Sequence, residues 1–442
     1  MVWRCEIADS NRGSLEVRIL VLSQFFGPDS SAVGQLVADA MVGASEAGHK
    51  VCVICGGSDY VTCDAGNGET VRHAFSEGGG LGDDKLNQGA VDISRVRNLA
   101  FSHNKAKKLL SYATFYAGAT WKALTAPRPD VVLTLTAPPA LAWIGWLMQR
   151  LRRCRHVVWE MDVYPDIAVA LGMPFVGWLG GLLDYPRRRA DVVIALGDCM
   201  KARLVRHQIP QDRIRVVENW ADGQTIHPLP FPEHPPLRIL YSGNLGLSHD
   251  VATIQGVIER LAGDSGFHFD FAGGGPQRKE LDDFCRNREF GNVSFRTYVR
   301  AGQLGASLAK CHIGLVTQKA ATIGAVVPSK VYGLMAAARP VLYIGPAGAT
   351  PALLIQRFGC GWHFECGDVE GVLGLLTRVL ANPEELHETG ERGRNAFAEH
   401  YDKPAGVSRI CRAMGLDTPE TSSKKLTHDS QSNRYSHFGG SA

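Results

Sequence analysis

The chain has 442 residues, of which 45% are hydrophobic and 21% charged, and its formal net charge is +3. At about 100–200 residues per domain, this length predicts two or three globular domains. The small net charge argues against a nucleic-acid-binding protein. The 11 cysteines are odd in number, scattered and partly set in apolar runs, which is typical of reduced cysteines in protein cores.

Apolar runs of strand type alternate with helical stretches through the first half of the chain. These runs are apolar on both faces, as expected of parallel strands that are covered by helices on both sides. Strands are predicted at 17–23, 50–55, 130–135, 156–161, 191–196 and 214–219, helices at 32–47 and 104–124, and a polar segment at 56–88. We therefore expect an N-terminal doubly wound α/β domain over residues 15–221.

A proline-rich segment at 222–236 predicts a linker, after which the alternation starts again. Strands are predicted at 237–242, 267–272, 293–299, 313–317 and 340–344, with helices beginning near 251, 277, 301 and 329. We expect a second α/β domain at 237–400 and a helix at 401–417 that packs back on the first domain. The polar, aperiodic tail at 418–442 is typical of disorder.

Ligands of open parallel sheets lie beyond the carboxyl ends of the strands, so two such sheets predict a cleft between two binding edges. On the second sheet, Gly243, Asn244 and Gly246 follow the first strand directly. Glycines there would let backbone N–H groups approach a phosphate, although a tight turn without a ligand explains them equally well. Ser329 and Lys330 open a later helix, and a lysine at that end opposes the helix dipole, which favours a binding role over a solvated side chain.

The first half offers a glycine-containing loop and two carboxylates. The loop from Gly27 to Gly34 follows the first strand and could bring backbone to a ligand on the opposite wall. Asp162 and Asp166 follow the strand at 156–161. We assign Asp162 to binding or base chemistry and Asp166 to capping the next helix.

Three segments of the first half join aromatic and apolar residues to basic ones, at 105–116, 143–155 and 175–189. Such surfaces suit an anionic membrane interface, while the alternative is that the helices bury these faces on the sheet. The beginning of the chain lacks the apolar core of a signal peptide, and no uncharged apolar run is long enough to span a bilayer. We expect a cytoplasmic protein that can contact a membrane peripherally.

In their order and spacing, six of these segments resemble the GT-B glycosyltransferases, specifically the large retaining group of lipopolysaccharide, O-antigen and capsule type. The resemblance covers about residues 17–401. The segments are 17–36 (VRILVLSQFFGPDSSAVGQL), 159–166 (WEMDVYPD), 216–222 (VVENWAD), 239–246 (ILYSGNLG), 272–276 (AGGGP) and 328–341, which begins with PSK and ends with MAAARPV.

The resemblance implies two Rossmann-like doubly wound domains that face a cleft. It implies transfer of a sugar, with retention, from a nucleotide-diphosphate donor to a cell-envelope polysaccharide or lipid-linked acceptor, without a metal ion or cofactor. The donor would lie on the second half against Gly243–Gly246 and Lys330. The acceptor would lie on the first half near Gly27, Gly34 and Asn219, with Asp162 beside the catalytic centre.

Three departures from the pattern of that group involve five positions. Two glutamates common in the group are replaced by Ala325 and Gly333, and a common histidine by Met161. Asn244 and His249 stand near the places of a common arginine and lysine. These departures leave open a GT-B-fold sugar-nucleotide epimerase or a non-catalytic partner subunit of a transferase.

Overall fold

Two sheets organise the chain in the computed structural model, which describes residues 16–27, 32–56, 70–74, 90–96, 105–299 and 301–416. The predicted tail at 418–442 lies outside the described residues. The first sheet has the strand order β3-β4-β2-β1-β5-β6-β7-β8, and all neighbours are parallel except β3 and β4. Its strands are β1 (Arg18–Leu22), β2 (Lys50–Gly56), β3 (Thr70–Ala74), β4 (Ala90–Val96), β5 (Val131–Leu135), β6 (Arg155–Trp159), β7 (Val192–Ala195) and β8 (Ile214–Val216).

Helices cover both faces of this sheet, and its inner strands are therefore buried on both sides. The helices are α1 (Ala32–Glu46), α2 (Lys105–Thr125), α3 (Ala142–Arg152), α4 (Asp166–Ala170), α5 (Gly180–Arg189) and α6 (Asp198–Arg206). A 3₁₀ helix, Pro174–Leu179, lies between α4 and α5. Together they form one α/β layer structure with a core on each face.

The second sheet has six parallel strands in the order β11-β10-β9-β12-β13-β14. Its strands are β9 (Leu237–Ser242), β10 (Phe267–Ala272), β11 (Val293–Arg296), β12 (Ile313–Thr317), β13 (Val341–Ile344) and β14 (Gly361–Phe364). The helices of this half are α7 (Ala252–Arg260), α8 (Pro276–Asn287), α9 (Leu304–Leu308), α10 (Lys330–Ala336), α11 (Thr350–Phe358), α12 (Val369–Ala381) and α13 (Glu384–His400). The predicted α/β class and the two doubly wound halves are confirmed.

Three strands were missed from the sequence. β3 lies inside the segment predicted to be polar and irregular, β4 lies just after it, and β14 precedes the C-terminal helices. β3 and β14 each lie at one edge of their sheet, and β14 is only partly buried, which leaves a weak apolar pattern. The other parallel strands were found.

Backbone contacts join the two halves. Asp162 and Val326 form an antiparallel bridge, and the N–H of Val163 donates to the carbonyl of Ala325 at 2.8 Å. A last helix, α14 (Lys403–Met414), packs on α1, where Val407 lies against Gly43. The chain thus crosses between the halves twice, once before β9 and once after α13.

Candidate functional site

The order of the second sheet creates a switch point between β9 and β12. From β9 the chain continues to β10 on one side, and it later returns to place β12 on the other side. The loops after β9 and β12 therefore leave in opposite directions and open a crevice at the carboxyl edge, where ligands of such sheets bind. The first of these loops holds Gly243–Gly246, and the second leads to Lys330.

Three glycines of this crevice are required by their geometry. Gly243, Gly273 and Gly275 have φ angles of +125°, +136° and +109°, a region that side chains other than glycine rarely adopt. A Cβ on Gly273 would lie 2.0 Å from the carbonyl oxygen of Gly243, and one on Gly275 would lie 2.5 Å from that of Leu245. The turns after β9 and β10 thus interlock.

Lys330 reaches the glycine turn from the start of α10. A Cβ on Gly243 would lie 2.8 Å from Cε and 3.3 Å from Nζ of Lys330. The ammonium also lies 5.0 Å from the ring centroid of Tyr241. Burial lowers the pKa of Lys330 to about 8, and within the described residues no carboxylate forms an ion pair with it. The crevice therefore presents a desolvated cation that lacks an acidic partner.

Asn244 and His249 stand near the places where related sequences commonly carry an arginine and a lysine, and neither of them supplies a positive charge. His249 lies within 2.8 Å of the Thr317 carbonyl through Nδ1 and 3.2 Å of the Tyr241 hydroxyl through Nε2. Burial, together with the charge of Lys330, lowers the pKa of His249 to about 3, so the ring is neutral. The carbonyl contact places its proton on Nδ1, and His249 supports the turn.

Tyr298 is a neighbour of the site that the sequence did not indicate. Its hydroxyl lies 3.3 Å from Oδ1 of Asn244, and its ring lies against Gly274. It follows β11, so its position became visible only when the sheet order placed β11 next to β10. The ring is about half exposed at the rim of the crevice.

Asp162 lies where the two halves meet. Its backbone N–H donates to Oγ1 of Thr136 at 3.2 Å, and its bridge partner Val326 is four residues before Lys330. Burial and the nearby charge of Glu160 raise the pKa of Asp162 to about 6. The structure thus brings Asp162 and the Lys330 loop to the same junction, with the carboxylate still ionised at neutral pH.

The prediction that Asp166 caps a helix is wrong. Pro165 is the capping residue of α4, and no side chain makes the capping hydrogen bond. Oδ2 of Asp166 instead lies 2.6 Å from Nη1 of Arg203 and 3.0 Å from Nε2 of His207. Burial opposes ionisation, but hydrogen bonds from His207 and Arg203 outweigh it and hold the pKa of Asp166 below its usual value.

The remaining candidates of the first half are Gly27, Gly34 and Asn219. Gly27 has a φ of +123° and Gly34 is buried in α1; the loop between them, 28–31, lies outside the described residues. Asn219 is only 3% exposed, and its Oδ1 has no hydrogen-bond partner within the described structure. It therefore lies in the interior of the protein.

The two positions without a glutamate differ in their surroundings. Ala325 is fully buried, and its carbonyl is held by Val163. A Cβ on Gly333 in α10 would make ordinary contacts at 3.8 Å with Ile226 and 3.9 Å with Leu308. Of these two positions, Ala325 adjoins the Asp162 segment directly.

Within the described residues, no group of three or more His, Cys, Asp or Glu side chains is arranged to hold a metal ion. Among the helices described, none combines the length and the apolar character needed to cross a bilayer.

Comparisons with known proteins agree with this architecture. Residues 31–220 match the family model described as "Glycosyl transferase 4-like domain". The chain is 26% identical over 310 residues to "Probable glycosyltransferase WbjE" of Pseudomonas aeruginosa, covering 65% of this chain and 75% of that protein. It is 22% identical over 403 residues to "Putative colanic acid biosynthesis glycosyl transferase WcaI" of Escherichia coli K12, covering 85% and 95%.

Solved structures share the whole fold. Sucrose-phosphate synthase from Thermosynechococcus elongatus superposes with a TM-score of 0.69 at 12% identity, covering 89% of this chain and 98% of that one. HepE from Anabaena, in complex with UDP and glucose, gives a TM-score of 0.65 at 11% identity, covering 90% and 100%. The two sheets and their helices have the GT-B fold of these glycosyltransferase structures. The family match over residues 31–220 and the two relatives support a glycosyltransferase of the group 1 type.

Proposed function

We propose that this protein transfers a hexosyl-type sugar from a nucleotide-diphosphate donor to a cell-envelope polysaccharide or lipid-linked acceptor, with retention of configuration. The observation that carries the proposal is the desolvated Lys330 ammonium, which is held against the Gly243 turn at the switch point of the second sheet and has no acidic partner among the residues that the structure describes. A bound diphosphate would supply the negative charge with which the Lys330 ammonium can pair. The name of WcaI, which refers to colanic acid biosynthesis, and the UDP-glucose complex of HepE support the acceptor and donor classes.

The donor would occupy the crevice after β9 and β12. Backbone N–H groups of Gly243–Gly246 and the ammonium of Lys330 would bind the diphosphate, with Asn244 and Ser329 beside it. Tyr298, at the rim, offers an aromatic face on which a nucleobase can stack. Helix N-termini and the lysine would offset the phosphate charge, so the proposed reaction needs no metal ion or cofactor.

In the proposed reaction, the bond between the sugar C1 and the β-phosphate oxygen breaks, and a bond between C1 and the acceptor oxygen forms. The acceptor hydroxyl loses its proton to the departing diphosphate oxygen, which lies on the same face of the sugar and thereby accounts for retention. Asp162, at the junction of the halves, would accept a hydrogen bond from the acceptor hydroxyl. Its pKa of about 6 leaves it ionised for this role at neutral pH.

We also propose a membrane contact through the segment that joins α4 to α5. From Ile167 to Leu183 no side chain carries a charge. Phe175 and Trp178 are 70% and 77% exposed, and Leu182 is half exposed. We call this apolar region the α4–α5 surface.

The other two aromatic and basic segments support the contact less well. Trp143 on α3 stacks on Tyr185 with ring centroids 5.2 Å apart, so this aromatic is engaged inside the protein. The side chains of 105–109 on α2 lie outside the described residues. Exposed Arg150 and Arg153 on α3, which packs on α5, would provide the positive charge that an anionic bilayer attracts.

A non-catalytic partner subunit is the second candidate, because no carboxylate stands at Ala325 or Gly333. The experiment that separates the two incubates the purified protein with a panel of nucleotide sugars and measures nucleotide diphosphate release, with and without a membrane extract as acceptor source. A transferase releases diphosphate from one donor in an acceptor-dependent manner. Binding of a nucleotide without release from any donor identifies the partner subunit and rejects the proposed reaction.

A further inference from the structure

A series of paired charged side chains begins directly beside Asp162. This pairing was not predicted from the sequence. Glu160, which follows β6, is fully buried, and Arg187 on α5 is 3% exposed. Nε of Arg187 lies 2.6 Å from Oε1 of Glu160, and Nη2 lies 3.2 Å from Oε2. This two-point pairing is the strongest geometry available to a guanidinium and a carboxylate.

The same guanidinium holds the other end of the Asp162 segment. Nη1 of Arg187 donates to the carbonyl oxygen of Tyr164 at 2.7 Å and to Oδ1 of Asp184 at 3.1 Å. Glu160 and Tyr164 flank Asp162 by two residues on either side. One buried cation therefore fixes both ends of a five-residue segment whose central residue is Asp162.

The backbone of this segment is also fully engaged. The N–H of Glu160 donates to the carbonyl of Ile194 at 2.9 Å, and the N–H groups of Met161 and Asp162 both donate to Oγ1 of Thr136. With Val163 bonded to the second half, each N–H from 160 to 163 has a partner. Because its backbone is fixed at every residue, this segment can hold the Asp162 side chain in place without a hydrogen bond from that side chain to the rest of the protein.

Beyond Arg187 the chain of charges continues to the second half. Asp184 lies 2.7 Å from Nδ1 of His207, whose Nε2 lies 3.0 Å from Asp166. Asp166 pairs with Arg203, and Arg203 donates to the carbonyl of Ile323 at 2.6 Å and 3.0 Å. The segment at 320–326, which receives this last contact, also supplies the bridge partner of Asp162.

Charge alternates along this chain, which explains how it can be buried. Hydrogen bonds that the His207 ring donates to Asp166 and Asp184 raise the pKa of His207 to about 9, so its ring is a cation at neutral pH. Three carboxylates then alternate with three cations, and each buried charge has an opposite neighbour. We call the six residues the ion chain, and they are Glu160, Arg187, Asp184, His207, Asp166 and Arg203.

We propose that Arg187 is a positioning residue that, through the ion chain, sets the place of Asp162 relative to the second half. None of the six side chains needs to touch the donor or the acceptor. The inference rests on the proposed role of Asp162 in glycosyl transfer and goes beyond it, because it assigns the control of Asp162 to residues outside the site.

The first test is the double variant E160Q/R187M, which removes the charge pair without leaving a buried charge alone. R187K keeps the charge but cannot reach both Glu160 and Tyr164 as a planar fork does. R206K is the matched control, because Arg206 is exposed on α6 next to the ion chain. UDP and GDP affinity is measured by calorimetry, and kcat and KM by diphosphate release.

We expect the double variant and R187K to bind nucleotide within about twofold of the wild type while kcat falls by at least about tenfold, as misplacement of a reacting group predicts. R206K should match the wild type in both. Variants that bind nucleotide and retain wild-type kcat would overturn the inference. So would variants that lose nucleotide binding together with kcat, since Arg187 would then be only structural.

Hydrogen–deuterium exchange gives a readout that needs no turnover. In R187K, peptides covering 160–164 and 320–326 should exchange faster together, whereas R206K should leave both unchanged. Faster exchange at 160–164 alone would refute the link to the second half. If the wild type releases no diphosphate, the proposed function fails, and the exchange data still decide whether Arg187 couples the two segments.

Discussion

Replacing Lys330 by methionine tests the donor site most directly, because the change keeps the length of the side chain and removes its charge. A charge-assisted hydrogen bond to a phosphate oxygen contributes about 1.5–3 kcal/mol. Its loss should therefore raise the Kd for the nucleotide diphosphate roughly 10–150-fold. UDP and GDP, titrated separately by calorimetry, provide the measurement, and K310M on an exposed helix end of the same half is the control.

The same substitution should not destabilise the unliganded protein. The pKa of Lys330 falls from 10.5 to about 8 on folding, which corresponds to a cost of about 2–3 kcal/mol for keeping the ammonium charged at pH 7, after allowance for its residual exposure. Methionine removes that cost. We expect the unfolding midpoint of unliganded K330M to equal or exceed that of the wild type.

The pH dependence has a definite sign. The ammonium loses its proton as pH rises through about 8, so wild-type affinity should be constant below that pH and weaken above it. K330M should lose this dependence. Unchanged affinity in a folded K330M, or the same weakening above pH 8 in the variant, would remove Lys330 from the donor site.

Three further predictions concern the first half. D162N should lower the rate of diphosphate release roughly 10–150-fold, as expected when a hydrogen bond to a charged group, worth about 1.5–3 kcal/mol, is lost. It should also abolish the loss of activity below pH about 6 that protonation of Asp162 causes, while calorimetry shows unchanged nucleotide binding. F175S/W178S should reduce sedimentation with phosphatidylglycerol vesicles, whereas L353S on the second half should not, and equal binding by all three proteins would exclude the α4–α5 surface. Because folding raises the pKa of His207, its stabilisation is complete below pH about 6.5 and lost as pH rises through about 9; thermal melts of H207Q should show a smaller fall over that range than the wild type.

Prediction from the sequence succeeded where a feature is local. The apolar runs at β1, β5 and β9 are continuous, because parallel strands are buried on both faces, and they could be read without knowing their neighbours. The glycine turn after β9 and the lysine at the start of α10 were likewise visible as single motifs. Their proximity was implied only by the family resemblance, because it depends on β12 lying next to β9.

Where pairing partners are distant in sequence, prediction failed. Asp166 was assigned to its own helix end, yet its partners Arg203 and His207 come from α6 and the residue after it. Arg187 belonged to a basic run for which a membrane-facing surface and a face packed on the sheet were both left open, and it is buried against Glu160. The sequence around a single charged residue does not indicate whether its side chain is solvated or pairs with a carboxylate that is distant in sequence.

The sequence by itself determined the fold class of the protein. The alternation of apolar strand runs with helical stretches, the glycine turns and their order along the chain are all local features of the sequence. Only the tertiary structure decided which residues share a site. It brought the Lys330 loop and Asp162 together across the two halves. The reason is physical: strand order and the docking of one sheet edge against another are set by packing of the whole chain, whereas local sequence sets only the strands and turns that are packed.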